Sequence, residues 1–329
     1  MLGDAFTRRG GASGDPSANE SKARTGEFPR VTGGEAVGRR DSCVLCGAPA
    51  RLAKDDGQGH RTCRACEVAW SILEDPRELE REWDRDYYGD PAIVRMHQER
   101  QSAMKALAGE LLRVCPAPGR PLDVGAGVGT LMKAAWERGW RVEGVEPSQT
   151  AANWARRLTG APIHVGLLER LGLPSQSYDA ITVINTVQHV SEPALFLAEV
   201  RRLLRPGGTV MIREIHHRVA EACRKLFSRR RGTHPNRPRH AFEYGQRYTP
   251  RSLALALDRA GFEAVWAEPS PLFEESPPGS LIGLGNRTKR FLGYCSSLIH
   301  RASGRNLIVT PNFLIFGRAG APPTRPRDK

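Results

Sequence analysis

The chain has 329 residues, enough for one full α/β domain plus a small module, and 40% of them are hydrophobic, so a sizeable core can be buried. No apolar run approaches the ~18 residues of a membrane span, and the charged start, Met1 to Gly14, has no apolar segment of a secretory signal, so the expected location is cytoplasmic. The formal net charge is +13, yet 42 of the 49 basic residues are arginine, a skew that a GC-rich genome produces by itself; charge alone therefore assigns no nucleic-acid partner.

Residues 1–40 are rich in Gly, Ser, Arg and Glu without a sustained apolar period and read as a disordered tail. Residues 41–70 carry Cys43-x2-Cys46, then sixteen residues, then Cys63-x2-Cys66. Paired Cys-x-x-Cys in a chain without a signal reads as metal chemistry rather than disulfides. Each pair makes a tight knuckle, and four thiolates close a tetrahedral zinc site with no open position, so Zn2+ here is structural. In a segment of about 30 residues the metal replaces a core. His60 is a weaker alternative ligand. Arg51, Arg61 and Arg64 are too few to decide whether this ribbon meets nucleic acid or packs on its neighbour. Residues 71–95 read as a connector that includes Trp83, Tyr87 and Tyr88.

From 96 the pattern alternates. Met104, Leu107, Leu111 and Leu112 predict one helix over 96–114. Strands are expected at 121–124, 141–146, 162–165, 179–185 and 209–215. Helices are expected between them at 130–138, 149–158 and 192–204, the last stopped by Pro206-Gly207-Gly208. A basic, pattern-poor insertion runs over 216–249, and residues 218–251 within and beside it hold ten Arg or Lys and two Glu. A helix at 250–260 and strands at 262–267 and 312–318 complete the main domain, 96–320, before a second disordered tail at 321–329. Residues 270–305 show no clear pattern. Such alternation predicts an α/β, doubly wound, mostly parallel sheet.

The stretch 122–130, Leu-Asp-Val-Gly-Ala-Gly-Val-Gly-Thr, places a glycine turn between a buried strand and a helix, where backbone can approach a nucleotide closely. The spacing is Gly-x-Gly-x-Gly and position 130 is Thr, whereas the dinucleotide fingerprint wants Gly-x-Gly-x-x-Gly. An acid also precedes the first glycine by two residues. These features favour S-adenosylmethionine over NAD. Asp123 can accept from the methionine ammonium, and the turn Gly125, Ala126, Gly127 lies against the methionine and ribose. Glu146, 23 residues after Asp123, can accept the ribose hydroxyls. Leu168 can pack on adenine, and Asn185 ends the fourth strand at the switch-point crevice.

The segments "LDVGAGVGT", "VEGVEPS", "YDAITVINTVQHVSEP", "LLRPGGTVMI" and "YTPRSLALALDRAGFEAV" make residues 96–266 resemble a class I S-adenosylmethionine-dependent methyltransferase, with a seven-stranded Rossmann-like sheet. The chain also resembles a bacterial subgroup with an amino-terminal zinc ribbon followed by a "DYYGD"-like segment, whose members are often implied in glycan, lipid or secondary-metabolite modification. The resemblance implies strand order 3-2-1-4-5-7-6 with the last strand antiparallel, and cofactor contacts from Asp123, Gly125, Gly127, Glu146 and Leu168. Relatives commonly carry Leu-Glu-His after the fourth strand; here it is Val187-Gln188-His189, so a role for that acid does not carry over.

His189 reads either as a base positioned to take a hydroxyl proton or as a histidine that caps the next helix or bonds the backbone, and an acceptor that is already anionic or an amine needs no base. His216, His217, His240 and Tyr244 are expected near the mouth as structural or substrate-positioning groups. The continuation Asn185-Thr186-Val187 argues against methylation of exocyclic base amines. The expected activity is methyl transfer to an oxygen of a small-molecule, glycan or lipid-linked acceptor. RNA, held by the ribbon and by Arg229-Arg230-Arg231, is the alternative acceptor, and a catalytically silent adaptor with this fold is a third reading. Lys289-Arg290-Phe291-Leu292, with Leu298 and Ile299, reads either as a membrane-surface helix or, preferred here, as a packed one.

Overall fold

The computed structural model describes residues 42–55, 60–71, 87–228, 245–271 and 286–320. The tails at 1–40 and 321–329, together with Trp83, the arginine triplet 229–231, His240 and Tyr244, lie outside them. The described residues begin with two cysteine knuckles around an antiparallel sheet of β1 (Ala53–Asp55), β2 (His60–Cys63) and β3 (Ala69–Ser71). The knuckles share one geometry: Gly47 N–H donates to Cys43 O and Glu67 N–H to Cys63 O, and both donors are left-handed, at φ 70 and 68°.

The expected single helix over 96–114 is instead two. Asp90 caps α1 (Pro91–Glu99), its side chain accepting the Ala92 N–H at 2.8 Å, with Pro91 in the first turn where no donor is needed. At Arg100 ψ turns to 29° and its N–H folds back to His97 O, so the chain restarts as α2 (Gln101–Leu112).

A seven-stranded sheet follows, with β4 (Pro121–Val124), β5 (Glu143–Glu146), β6 (Ile163–Val165), β7 (Tyr178–Ile184), β8 (Leu204–Ile215), β9 (Phe262–Pro269) and β10 (Asn312–Ala319). Their order is β6-β5-β4-β7-β8-β10-β9, and β10 runs antiparallel to both neighbours. That is the implied order. It is a doubly wound, mostly parallel Rossmann-like sheet. The central strands β4 and β7 are apolar because helices cover both faces. The helices after β4 are α3 (Thr130–Trp136), α4 (Gln149–Thr159), α5 (Pro193–Leu203), α6 (His217–Ser228), α7 (Pro250–Arg259) and α8 (Asn286–Ala302). Ser148 caps α4, and left-handed Gly160 closes it.

Two further boundaries differ from expectation. Pro206-Gly207-Gly208 ends α5 but does not delay the next strand: β8 pairs with β7 from Leu204, and exposed Arg205, Pro206 and Gly207 loop out before pairing resumes at Thr209. The basic insertion opens as regular structure, α6, because its apolar residues fall at helical spacing.

The ribbon is continuous with the main core. Cys43, Leu45, Cys63, Cys66, Val68 and Trp70 belong to one buried cluster with Tyr248, Leu253, Ala256 and Leu257 and the sheet residues Ile181, Val183 and Ile212. Between them runs residues 245–249. Its Arg247 pairs with Ala69 of β3, its Gln246 N–H donates to Gln188 O at 2.8 Å, and Tyr248 bridges to His216.

Candidate functional site

The site forms at the carboxyl ends of the parallel strands. After β4 the chain turns through Gly125, Gly127 and Gly129, all left-handed at φ 75, 53 and 83°. Gly125 has no room for a side chain: a Cβ there would collide with Thr186 Oγ1 from the turn after β7. At Gly127 a Cβ would stand 3.0 Å from Tyr88 Oη, so the phenol lies directly over the turn. Ala126 is buried, and its N–H and that of Gly125 both donate to Val145 O of β5, at 3.0 and 2.8 Å. This ties the turn to the neighbouring strand.

Glu146 ends β5, buried beside the turn. Its Oε2 accepts the Gly127 N–H at 2.8 Å, and its Oε1 accepts the Ser148 N–H at 2.9 Å. The carboxylate therefore holds the glycine turn and starts α4 at once. A carboxylate carries about four lone-pair sites, so these bonds do not exhaust its capacity to accept hydroxyls. Asp123 lies deeper, paired in register with Thr182 of β7, whose Oγ1 donates to Asp123 Oδ1 at 2.7 Å. Burial raises this carboxyl to about 6, and the Thr182 bond opposes the rise. Leu168 is buried in the short turn after β6. Asn185 follows β7 in a left-handed conformation at φ 53°, and its Oδ1 accepts from Arg213 at 2.8 Å.

Asp123, Gly125, Ala126, Gly127, Glu146 and Asn185 thus lie at the carboxyl ends of the adjacent strands β4, β5 and β7, with Leu168 on the turn after β6. A bare, left-handed turn beside an acid suits a nucleoside carrying hydroxyls and a cationic amino-acid tail.

His189 closes the 3-10 turn Val187–His189. Burial holds its imidazole down to about 4, so the ring is neutral near pH 7. Its Nε2 lies 3.0 Å from Gln188 Nε2, so with the amide as donor this ring nitrogen is an acceptor. His216 is likewise lowered to about 4, chiefly by burial, and packs edge-on against Phe313. His217 Nδ1 is engaged with Tyr248 O at 2.9 Å, a structural contact.

Several groups at the site carry no sequence motif that would nominate them individually. Tyr87 and Tyr88 pack edge to face, and Tyr87 Oη meets His97 Nε2 at 2.9 Å, building an aromatic roof from the connector and α1. Burial, then the Glu146 charge, pushes the Tyr88 phenol well above its usual range. Arg213 is buried beside Asn185 and Ser270, and burial lowers it to about 10. Glu214, its neighbour in β8, is 1% exposed, and its Oε2 has no hydrogen-bond partner among the described residues; burial raises this carboxyl to about 7, opposed by the backbone N–H of Ile215. The only sequence signals were the "DYYGD" segment and two charges at a strand end.

At the ribbon, the sulfurs of Cys43, Cys46, Cys63 and Cys66 all lie within 4.8 Å of one another. Cys43–Cys66 and Cys46–Cys63 are each 3.6 Å apart. Tetrahedral zinc with Zn–S of about 2.3 Å requires sulfurs about 3.8 Å apart, so the cluster fits that ion. His60 is buried in β2 and is not part of the cluster.

Residues 96–267, just over half of the chain, match a family described as "Methyltransferase domain". The chain is 40% identical over 101 residues to an uncharacterized 37.1 kDa protein in a transposon of Streptomyces fradiae, covering 28% of this chain and 29% of that one. It is 27% identical over 158 residues to a ubiquinone biosynthesis O-methyltransferase of Rhizobium rhizogenes, covering 44% of this chain. The chain spans 60% of that relative's length. Among solved structures, a SAM-dependent methyltransferase of Thermotoga maritima superposes with a TM-score of 0.50 at 18% identity, over 73% of this chain and 99% of the other, a likeness of fold.

Proposed function

Because this chain belongs to the methyltransferase-domain family, we propose that it moves the methyl group of S-adenosylmethionine to an oxygen of a small-molecule, glycan or lipid-linked acceptor. The observation that carries this reading is the glycine turn locked to Glu146 beneath Tyr88, with a neutral His189 at the end of the adjacent strand. The oxygen is supported by the relatives named ubiquinone biosynthesis O-methyltransferase.

When bound, S-adenosylmethionine supplies a methyl carbon already activated by its sulfonium. The turn 125–127 and Glu146 hold the nucleoside and methionine parts, Asp123 stiffens the turn from below, Leu168 walls the base, and Asn185 lines the crevice. Tyr87 and Tyr88 exclude water from the turn. His189 would accept the acceptor's hydroxyl proton at Nε2 once the Gln188 amide gives way to the substrate, and its low basicity suits an acceptor that is itself acidic, such as a phenol. Cys43, Cys46, Cys63 and Cys66 hold one structural Zn2+, which fixes the ribbon against residues 245–249.

Calorimetry with S-adenosylmethionine, on the wild type and on Glu146→Ala, tests the cofactor half. Binding that the variant loses supports it. No binding by the wild type would replace it with the silent-adaptor reading. Transfer of a labelled methyl group to base-labile or acid-stable products then distinguishes ester from ether oxygen.

A further inference from the structure

The helix α8 (Asn286–Ala302) is turned inside out. Phe291, Tyr294, Leu298 and Ile299 fall at spacings of three, four and one and form a single stripe, and that stripe faces outward. Phe291 is 64% exposed and Tyr294 63%. The face turned toward β9 is polar and small: Ser296 and His300 are buried, with His300 Nδ1 meeting Leu307 O at 3.1 Å. Just beyond the helix Leu307, 50% exposed, and Val309, 39% exposed, are further apolar side chains open to solvent. A helix of a water-soluble domain normally does the reverse, and contiguous exposed apolar surface marks a docking site.

The charges beside the stripe say what it docks on. Residues 286–305 hold five Lys or Arg and no Asp or Glu, and no acid occurs between Glu275 and Asp328. Arg301 and Arg305 are exposed at the helix end. An apolar stripe with aromatic residues, on a segment whose own charges are all cationic, fits the boundary of an anionic lipid layer, where the ring and aliphatic groups enter the acyl region and the guanidiniums meet headgroup phosphates. A second copy is a poor occupant, because a two-fold interface would set this cationic patch against itself.

Position agrees. The segment after α8 returns to the sheet where Pro311 O accepts the His216 N–H at 2.8 Å and Asn312 O accepts the Ser270 N–H at 3.2 Å. This is the carboxyl edge of β8, the edge that also carries Asn185 and the glycine turn. We infer that α8 and residues 307–309 form an interfacial surface that seats the protein on anionic lipid, with the mouth of the site beside the membrane.

The inference stands apart from methyl transfer, since adsorption needs no turnover. The full chain is sedimented with vesicles of phosphatidylcholine mixed with phosphatidylglycerol, and with phosphatidylcholine alone, at low ionic strength. The wild type should sediment with the mixed vesicles and bind pure phosphatidylcholine roughly tenfold more weakly. Phe291→Ser with Tyr294→Ser should lose roughly tenfold or more of that binding while keeping its circular dichroism and unfolding midpoint, because both side chains are exposed. Arg301→Glu with Arg305→Glu should erase the preference for anionic vesicles. Three outcomes would overturn the inference: a wild type that stays in the supernatant with both vesicles, a Phe291/Tyr294 variant that sediments like the wild type, or a wild-type dimer that this variant splits while neither binds vesicles.

Discussion

Ala69 and Arg247 exchange two main-chain hydrogen bonds, Ala69 N–H to Arg247 O at 2.9 Å and Arg247 N–H to Ala69 O at 2.7 Å. Through this pair the ribbon grips residues 245–249, and through Gln246 N–H to Gln188 O that segment grips the turn carrying His189. The four-cysteine cluster is thereby linked to the candidate base by backbone alone.

Metal removal should therefore be felt at a distance. A chelator strong enough to take zinc from the four thiolates should release about one ion per chain, read with a chromogenic dye. Amide exchange should then quicken in 245–259 and 186–190, while the glycine turn 125–129 keeps its protection. Uniform loss of protection, or none, would contradict the linkage.

Glu67 occupies a left-handed position whose counterpart in the first knuckle is Gly47. Its carboxylate accepts from Thr249 at 3.2 Å and meets Arg251 at 3.3 Å and Arg218 at 3.4 Å. Glu67→Ala keeps the backbone strain and loses these partners, whereas Glu67→Gly loses the partners and relieves the strain. Urea unfolding should place the Gly variant about 1 kcal/mol above the Ala variant. Equal midpoints would remove the strain argument.

At the glycine turn, Gly125→Ala meets both a left-handed φ of 75° and Thr186 Oγ1. It should weaken S-adenosylmethionine binding roughly a hundredfold, on the order of the 1–3 kcal/mol of such strain. Gly125→Ala with Thr186→Gly should recover part of that loss. Recovery distinguishes the collision from the backbone conformation.

Glu214 and the buried histidines pull the pH dependence of stability in opposite directions. The Glu214 carboxyl rises on folding from its ordinary value to about 7, so its contribution is full below the unfolded value and is lost as pH rises through 7. Glu214→Gln should therefore gain stability relative to the wild type between about pH 5 and 8, by on the order of 3 kcal/mol. His97, His189 and His216 are each lowered to about 4, so their contribution is present above about 6.5 and lost as pH falls toward 4. Melting curves of both proteins across this range check the two signs.

His189→Asn should lower kcat by about 10²–10⁴-fold if the imidazole takes the acceptor's proton, with S-adenosylmethionine affinity unchanged by calorimetry. The rate of the wild type should stay level from neutrality down toward pH 4. A variant that keeps its rate would mean that the acceptor arrives already ionised.

Much of the sheet was legible because its strands are short apolar runs between glycines and prolines, and Glu146 stood at a readable distance from Asp123. Tyr88 was not legible as a site residue, because its place over Gly127 arises only when the chain before α1 folds back on the turn. Glu214 hid for a related reason: two charges at a strand end read as solvated until the strands β7 and β10 close around them. The break at Arg100 left no glycine or proline to announce it. The stripe on α8 misled in the other direction, since apolar residues at helical spacing normally mark a core face, and the sequence does not show which way a helix is turned.

The ribbon's attachment also sets an order of events during synthesis. Glu67 meets Thr249 across 182 residues of chain, so both knuckles leave the ribosome long before the surface they pack on exists. At ordinary elongation rates of about 5–20 residues per second, roughly ten seconds or more must pass with Val68 and Trp70 uncovered. A metal captured early by the four thiolates would hold the nascent ribbon closed through that interval, so that metal supply during synthesis would set the yield of folded protein.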